Sequence, residues 1–182
     1  MAPLTSSDAF SATPSLPLSR LDGELLTMLC ARSTAALGTL TDSGEVSLSM
    51  VPYAIDTASG TFVILISGLA AHTRQLQAHP RASLLVCDSE DQADNVHALA
   101  RVSLDVEADW PIVDSEDAQA ASATYLARHP AAELLTQLPD FRWVRLRPLQ
   151  ARHVAGFGAA RTLDQSRLSA LIQNNPDQRR WI

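Results

Sequence analysis

Short stretches of period-two sequence, each closed by a turn signal, restrict this chain more than any other feature. Residues 35–40 run into the turn Thr41-Asp42-Ser43-Gly44, after which residues 46–53 alternate apolar with small polar side chains. Side chains on a strand point to opposite faces in turn, so this pair reads as a β-hairpin with one buried face. A second turn at residues 56–60 delivers residues 61–66, continuous in apolar and β-branched side chains, which suits a strand covered on both faces. The series continues through residues 82–87 and residues 98–108, where Val102, Leu104 and Val106 share a face, and closes with residues 141–146 and 151–157. Strands so short and so directly connected pair antiparallel. Closing them into a barrel hides their edges.

Helical spacing appears at the flanks. Leu18, Leu21, Leu25, Leu26, Met28 and Leu29 form one stripe leading to Arg32. A short helix ends at His79-Pro80, and Asp114-Ser115-Glu116-Asp117 opens an Ala-rich helix that stops at Arg128-His129-Pro130. A last helix runs from Leu163 to about Gln173. The fold class expected is mainly β with flanking helices (α+β). A length of 182 residues with 46% hydrophobic side chains suits one domain over 20–182, preceded by a flexible arm over 1–19 that carries only Asp8 as charge and lacks a signal-peptide pattern. A net charge of −6 disfavours nucleic acid and anionic membranes as partners, and no apolar stretch approaches the ~20 residues of a membrane span. Cys30 and Cys87 form no C-x-x-C pair, so a reducing, cytoplasmic setting is expected.

All 14 basic side chains of the Lys+Arg class are Arg, which removes Lys Schiff-base chemistry and the phosphate-loop Lys. His72, His79, His97, His129 and His153 are scattered, with none of the spacings of a structural metal site, so no metal is expected. There is no G-x-S-x-G, and Gly156-Phe157-Gly158 is too short for a dinucleotide fingerprint. One constellation remains. After the strand ending at Ile66, Ser67, His72, Thr73 and Arg74 surround a strand-to-helix turn, where orphan N–H groups and the helix dipole favour an anion such as phosphate. Ordinary helix capping explains the same residues and stays open beside it.

The run from Ser67 to Leu76 (SGLAAHTRQL), with His79-Pro80-Arg81-Ala82-Ser83-Leu84-Leu85-Val86, resembles a segment of the flavin-binding split-barrel proteins related to pyridoxamine 5'-phosphate oxidase, and more narrowly their haem-utilisation subgroup. Leu37-Gly38-Thr39-Leu40, Ser49-Met50-Val51-Pro52-Tyr53-Ala54, Tyr125-Leu126-Ala127-Arg128-His129-Pro130 and His153-Val154-Ala155-Gly156-Phe157-Gly158 follow the same family in order, over residues 32–160. The resemblance implies a six-stranded antiparallel FMN-binding split barrel and a homodimer with the cofactor site at its interface. It also implies flavin-dependent oxidoreductase chemistry on a small-molecule substrate. Carried over by position, Ser49, Met50, Val51, Ile66 and Ser67 line the flavin, His72, Thr73 and Arg74 meet its phosphate, and Arg101 and Phe157 approach the ring system. No catalytic side chain is named, because the flavin itself carries the electrons. A second reading within the family is haem binding or degradation. The subgroup's ligand is expected from a C-terminal loop, whereas this sequence has no His after His153, so another His is required. Gln75 stands where the family pattern has Asn, and Ala159-Ala160 displaces the Arg after Gly-Phe-Gly to Arg161. These departures leave room for a flavin-free dimeric scaffold or sequestering module.

Overall fold

The computed structural model describes residues 18–91, 93 and 95–175, and most of the arm expected over 1–19 lies outside them. The first helix, α1 (Arg20–Ala31), starts in a capping box: the Ser19 hydroxyl accepts from the Asp22 N–H, and the Asp22 carboxylate accepts from the Ser19 N–H. Its apolar stripe brings Leu25 and Leu29 into full burial. Eight strands follow: β1 (Thr34–Leu40), β2 (Val46–Pro52), β3 (Ala54–Asp56), β4 (Thr61–Ser67), β5 (Arg81–Cys87), β6 (Arg101–Asp109), β7 (Phe141–Val154) and β8 (Ala160–Asp164). Between and after them lie α2 (Ala71–Ala78), α3 (Glu116–Arg128) and α4 (Gln165–Gln173).

The strands run in the order β2-β1-β5-β6-β7-β4-β3, all antiparallel, with β8 added along β7. The antiparallel barrel-like class is as expected, but the strand count is eight and not six. Part of the difference is a break at Tyr53. Its ring is fully buried, its hydroxyl donates to the Leu29 carbonyl at 2.8 Å, and the His129 ring bonds its carbonyl at 2.8 Å. With Tyr53 held this way, the segment pairs with β1 before it and with β4 after it, so one chain segment links the two ends of the curled sheet.

Two expected boundaries also move. The stretches 141–146 and 151–157 are one strand, because Pro148 sits beside a bulge where the pairing jumps from Asp105↔Gln150 to Val106↔Pro148 and the ladder is already interrupted. Residues 156–158 belong to a turn, not to a strand, and Leu163 belongs to β8, with α4 starting only after the cap Asp164.

Inside the curl, Leu37, Phe62, Ile64, Leu84, Val102, Leu104 and Leu146 pack against Leu25, Leu29, Leu168 and Ile172 of α1 and α4. Each such side chain contributes about 2 kcal/mol by leaving water. A second cluster, Val63 and Leu65 with Ala121 and Tyr125 of α3, covers the other face of β4 and accounts for its unbroken apolar run. The hairpin departs from expectation. Register places Ser47, Ser49 and Val51 on the inner face with Thr39, Leu37 and Ala35, and Val46, Leu48 and Met50 stand outward at 75%, 74% and 65% exposure. No helix among the described residues is long and apolar enough to cross a membrane.

Candidate functional site

The turn after β4 is tightly bonded within itself. The Gly68 N–H donates to the Asp140 carbonyl at 2.7 Å, and a Cβ on Gly68 would lie 3.2 Å from that oxygen, so a side chain would have to displace backbone. The Ser67 hydroxyl donates to the Asp140 carboxylate at 2.5 Å and accepts from the Leu69 N–H at 3.1 Å. Thr73, buried, donates to the Ser67 carbonyl at 2.6 Å. Both hydroxyls of the expected cradle are thus committed, and a carboxylate stands beside them. His72 is half-buried, and burial pushes its imidazole below the ordinary range, away from the charged form that would attract an anion. Arg74 is exposed.

The other expected residues are spread over the sheet. Ser49 points inward and its buried hydroxyl has no partner among the described residues, while Met50 faces outward and Val51 and Ile66 are core. Arg101 is exposed and donates to the Leu99 carbonyl at 3.1 Å, and Phe157 is exposed in the β7–β8 turn. That turn lies against the short 3-10 segment Val96–Ala98, since a Cβ on Gly156 would sit 3.7 Å from the Ala98 carbonyl. Arg101 pairs with Cys87, at the Thr34 end of the β1–β5 ladder. The helix α2 meets the ladder at its other end, where the Thr39 hydroxyl donates to the Gln75 side chain at 2.6 Å. A single copy therefore does not gather Arg101 and Phe157 with Ser67, His72, Thr73 and Arg74.

A concave surface that the sequence reading did not single out lies on the outer face of the sheet. It measures about 680 Å³ and is lined by Leu40, Val46, Leu48, Val106 and Leu149, with Arg81 at its edge. Its walls come from three separated segments, so no local motif announces it. The hairpin alternation was a signal, but for a face left open and not for a buried one.

The five His divide by environment. His153 is 1% exposed, and burial together with the Arg161 guanidinium lowers its pKa. Its Nδ1 accepts from Arg161 Nε at 3.5 Å. His129 is engaged with the Tyr53 carbonyl and stacks on Tyr125 with ring centroids 4.7 Å apart. Among the described residues no hydrogen bond engages the rings of His72, His79 or His97, and no three His, Cys, Asp or Glu residues converge as a metal site.

Residues 21–155 match the family described as pyridoxamine 5'-phosphate oxidase. The chain is 33% identical over 142 residues to the heme oxygenase HutZ of Vibrio cholerae, covering 78% of this chain and 80% of that protein. It is 34% identical over 140 residues to the chloroplastic non-canonical heme oxygenase HOZ of Arabidopsis thaliana, covering 75% of this chain and 41% of that protein. Among solved structures, a heme binding protein from Mycobacterium smegmatis superposes with a TM-score of 0.76 at 28% identity, over 85% of this chain and 62% of that one. The chain thus spans under half of the Arabidopsis protein and about three fifths of the mycobacterial one.

These matches correct the expectation of FMN. Relatives above 30% identity are named for heme and not for a flavin. The physical reason lies in the same turn: the Asp140 carboxylate and two hydroxyls already bonded within the chain leave little there to receive a phosphate.

Proposed function

The chain belongs to the pyridoxamine 5'-phosphate oxidase family, and from that premise we propose that it binds haem, as a homodimer whose haem-holding face lies between the two copies. The observation that carries this reading is the 33% identity to a heme oxygenase across four fifths of that protein's length. The residues present fit the group. Haem needs an apolar wall, cations for its two carboxylates and a nitrogen donor for iron. The outer groove supplies Leu40, Val46, Leu48, Val106 and Leu149 as walls and Arg81 at the edge, and three His have imidazoles free of hydrogen bonds among the described residues. When bound, haem supplies the iron and its redox chemistry, while the chain's own residues bind, orient and exclude water.

A homodimer is supported by the outward stripe of Val46, Leu48 and Met50, since apolar rows this exposed mark surfaces that another body covers. Titrating the purified protein with haem tests the reading. A saturable shift of the Soret band near one haem per chain is expected. Haem spectra that stay at those of free haem in buffer, at every protein concentration, would sink it.

A further inference from the structure

Resting on the haem reading, we propose that His79 supplies the nitrogen that binds the iron, and that Arg81 pairs with a haem carboxylate at the same groove. An axial imidazole must be reachable from the apolar surface that takes the ring, and its lone pair must not already be engaged. His153 is buried, and His129 is bonded to the Tyr53 carbonyl, so neither qualifies. His97 lies in the 3-10 segment beside the Ala98 carbonyl, near the Cys87 end of the ladder, far from the groove at the Leu40 end. His72 lies at the start of α2, beside the Ser67 turn.

His79 is bracketed by the groove. One helical turn before it, the Gln75 side chain meets Thr39, which lines the groove, and two residues after it comes Arg81, which lines it too. The segment is also anchored, because the Pro80 carbonyl accepts from the Ala108 N–H at 2.8 Å, next to Val106 of the groove wall. His79 itself is exposed, so its ring is free to turn toward a ligand without leaving a hole in the core. The pairing of an imidazole with a guanidinium two residues on gives iron and carboxylate recognition from one short, fixed segment.

The test is a haem titration of the full chain and of His79→Ala, His72→Ala, His97→Ala and Arg81→Ala. Each is followed by the Soret band and by electron paramagnetic resonance of the ferric complex. Melting curves confirm that each variant is folded. His79→Ala is expected to weaken haem binding by at least about tenfold and to change the ferric signature, with added imidazole restoring both. Arg81→Ala is expected to weaken it by about twofold to fivefold with the signature unchanged, the size of an exposed ion pair. His72→Ala and His97→Ala are expected to match the parent. An unchanged ferric signature in His79→Ala, or its loss in His72→Ala or His97→Ala, overturns the assignment while leaving haem binding intact. A parent chain that binds no haem overturns both.

Discussion

Asp22 is wholly buried, yet its carboxylate accepts from Arg161 at 2.6 Å, from Arg167 at 2.7 Å and from the Ser19 N–H at 3.1 Å. Burial alone would push its carboxyl up, but the hydrogen bonds from Arg161 and Ser19 outweigh that and hold it at about 2, below the ordinary 3.8. A carboxyl whose folded pKa is depressed stabilises the fold above its unfolded value and loses that contribution as pH falls through the folded one. The window here runs from about 3.8 down to about 2. Removing the carboxylate strands two guanidinium groups, so Asp22→Ala is expected to cost about 3 kcal/mol. Urea denaturation at pH 7 measures it, and repeating the series down to pH 2 should show a shallower acid loss in the variant than in the parent. Equal acid slopes would remove Asp22 from the account. At this scale the sequence was only partly readable. Ser19 and Asp22 have capping-box spacing, but Arg161 and Arg167 are 139 and 145 residues away, and nothing local signals that they converge.

Among the elements, α1 shows how a motif quoted for its likeness to a family proves to be a fastening. Arg128, at the end of α3, donates to the carbonyls of Cys30 and Arg32 at 2.6 Å each, satisfying acceptors just where α1 ends. Its guanidinium also lies 5.8 Å from the centre of the Tyr53 ring. Next to it, His129 holds the Tyr53 carbonyl, so the run Tyr125 to Pro130 ties α1 and α3 to the break between β2 and β3. Arg128→Ala is expected to lose about 2 kcal/mol, the worth of charge-assisted bonds at a partly buried site. Amide hydrogen exchange should quicken at the end of α1 and around Tyr53 before it does in β6. Uniform exchange across the molecule would contradict a local fastening. Strand periodicity was legible wherever one side chain in two met the core, as in β6, where Val102, Leu104 and Val106 are fully buried. It misled at Pro148, because a proline that ends most strands is tolerated beside a bulge. It also misled at β8, whose five residues are too few to separate from the helix that follows.

For the whole molecule, the outward stripe of β2 carries the heaviest consequence. Alternation says only that two faces differ; it does not say which one the rest of the chain will cover. Here the inner positions go to Ser47, Ser49 and Val51, and the larger apolar side chains are left outside. Three side chains of this size, each at least 65% exposed, on one strand beside an apolar groove are costly to leave in water, and a second copy removes that cost at both surfaces at once. This is why the candidate site was less legible than the fold: a site shared between copies is assembled from segments that no single chain brings together. Leu48→Arg places a charge in the middle of the stripe without touching the core, so its melting temperature in dilute solution should stay close to that of a monomeric parent. Light scattering after size exclusion is expected to give a dimer for the parent and a monomer for the variant. Haem retention should fall with dimer content, since Leu48 also lines the groove. Met50→Arg separates the two effects, because Met50 shares the stripe with Leu48 but lies outside the groove lining. If Met50→Arg is monomeric and still holds haem as tightly as the parent, the groove works within one chain and haem does not need the interface. A parent that is monomeric at every concentration removes the homodimer altogether.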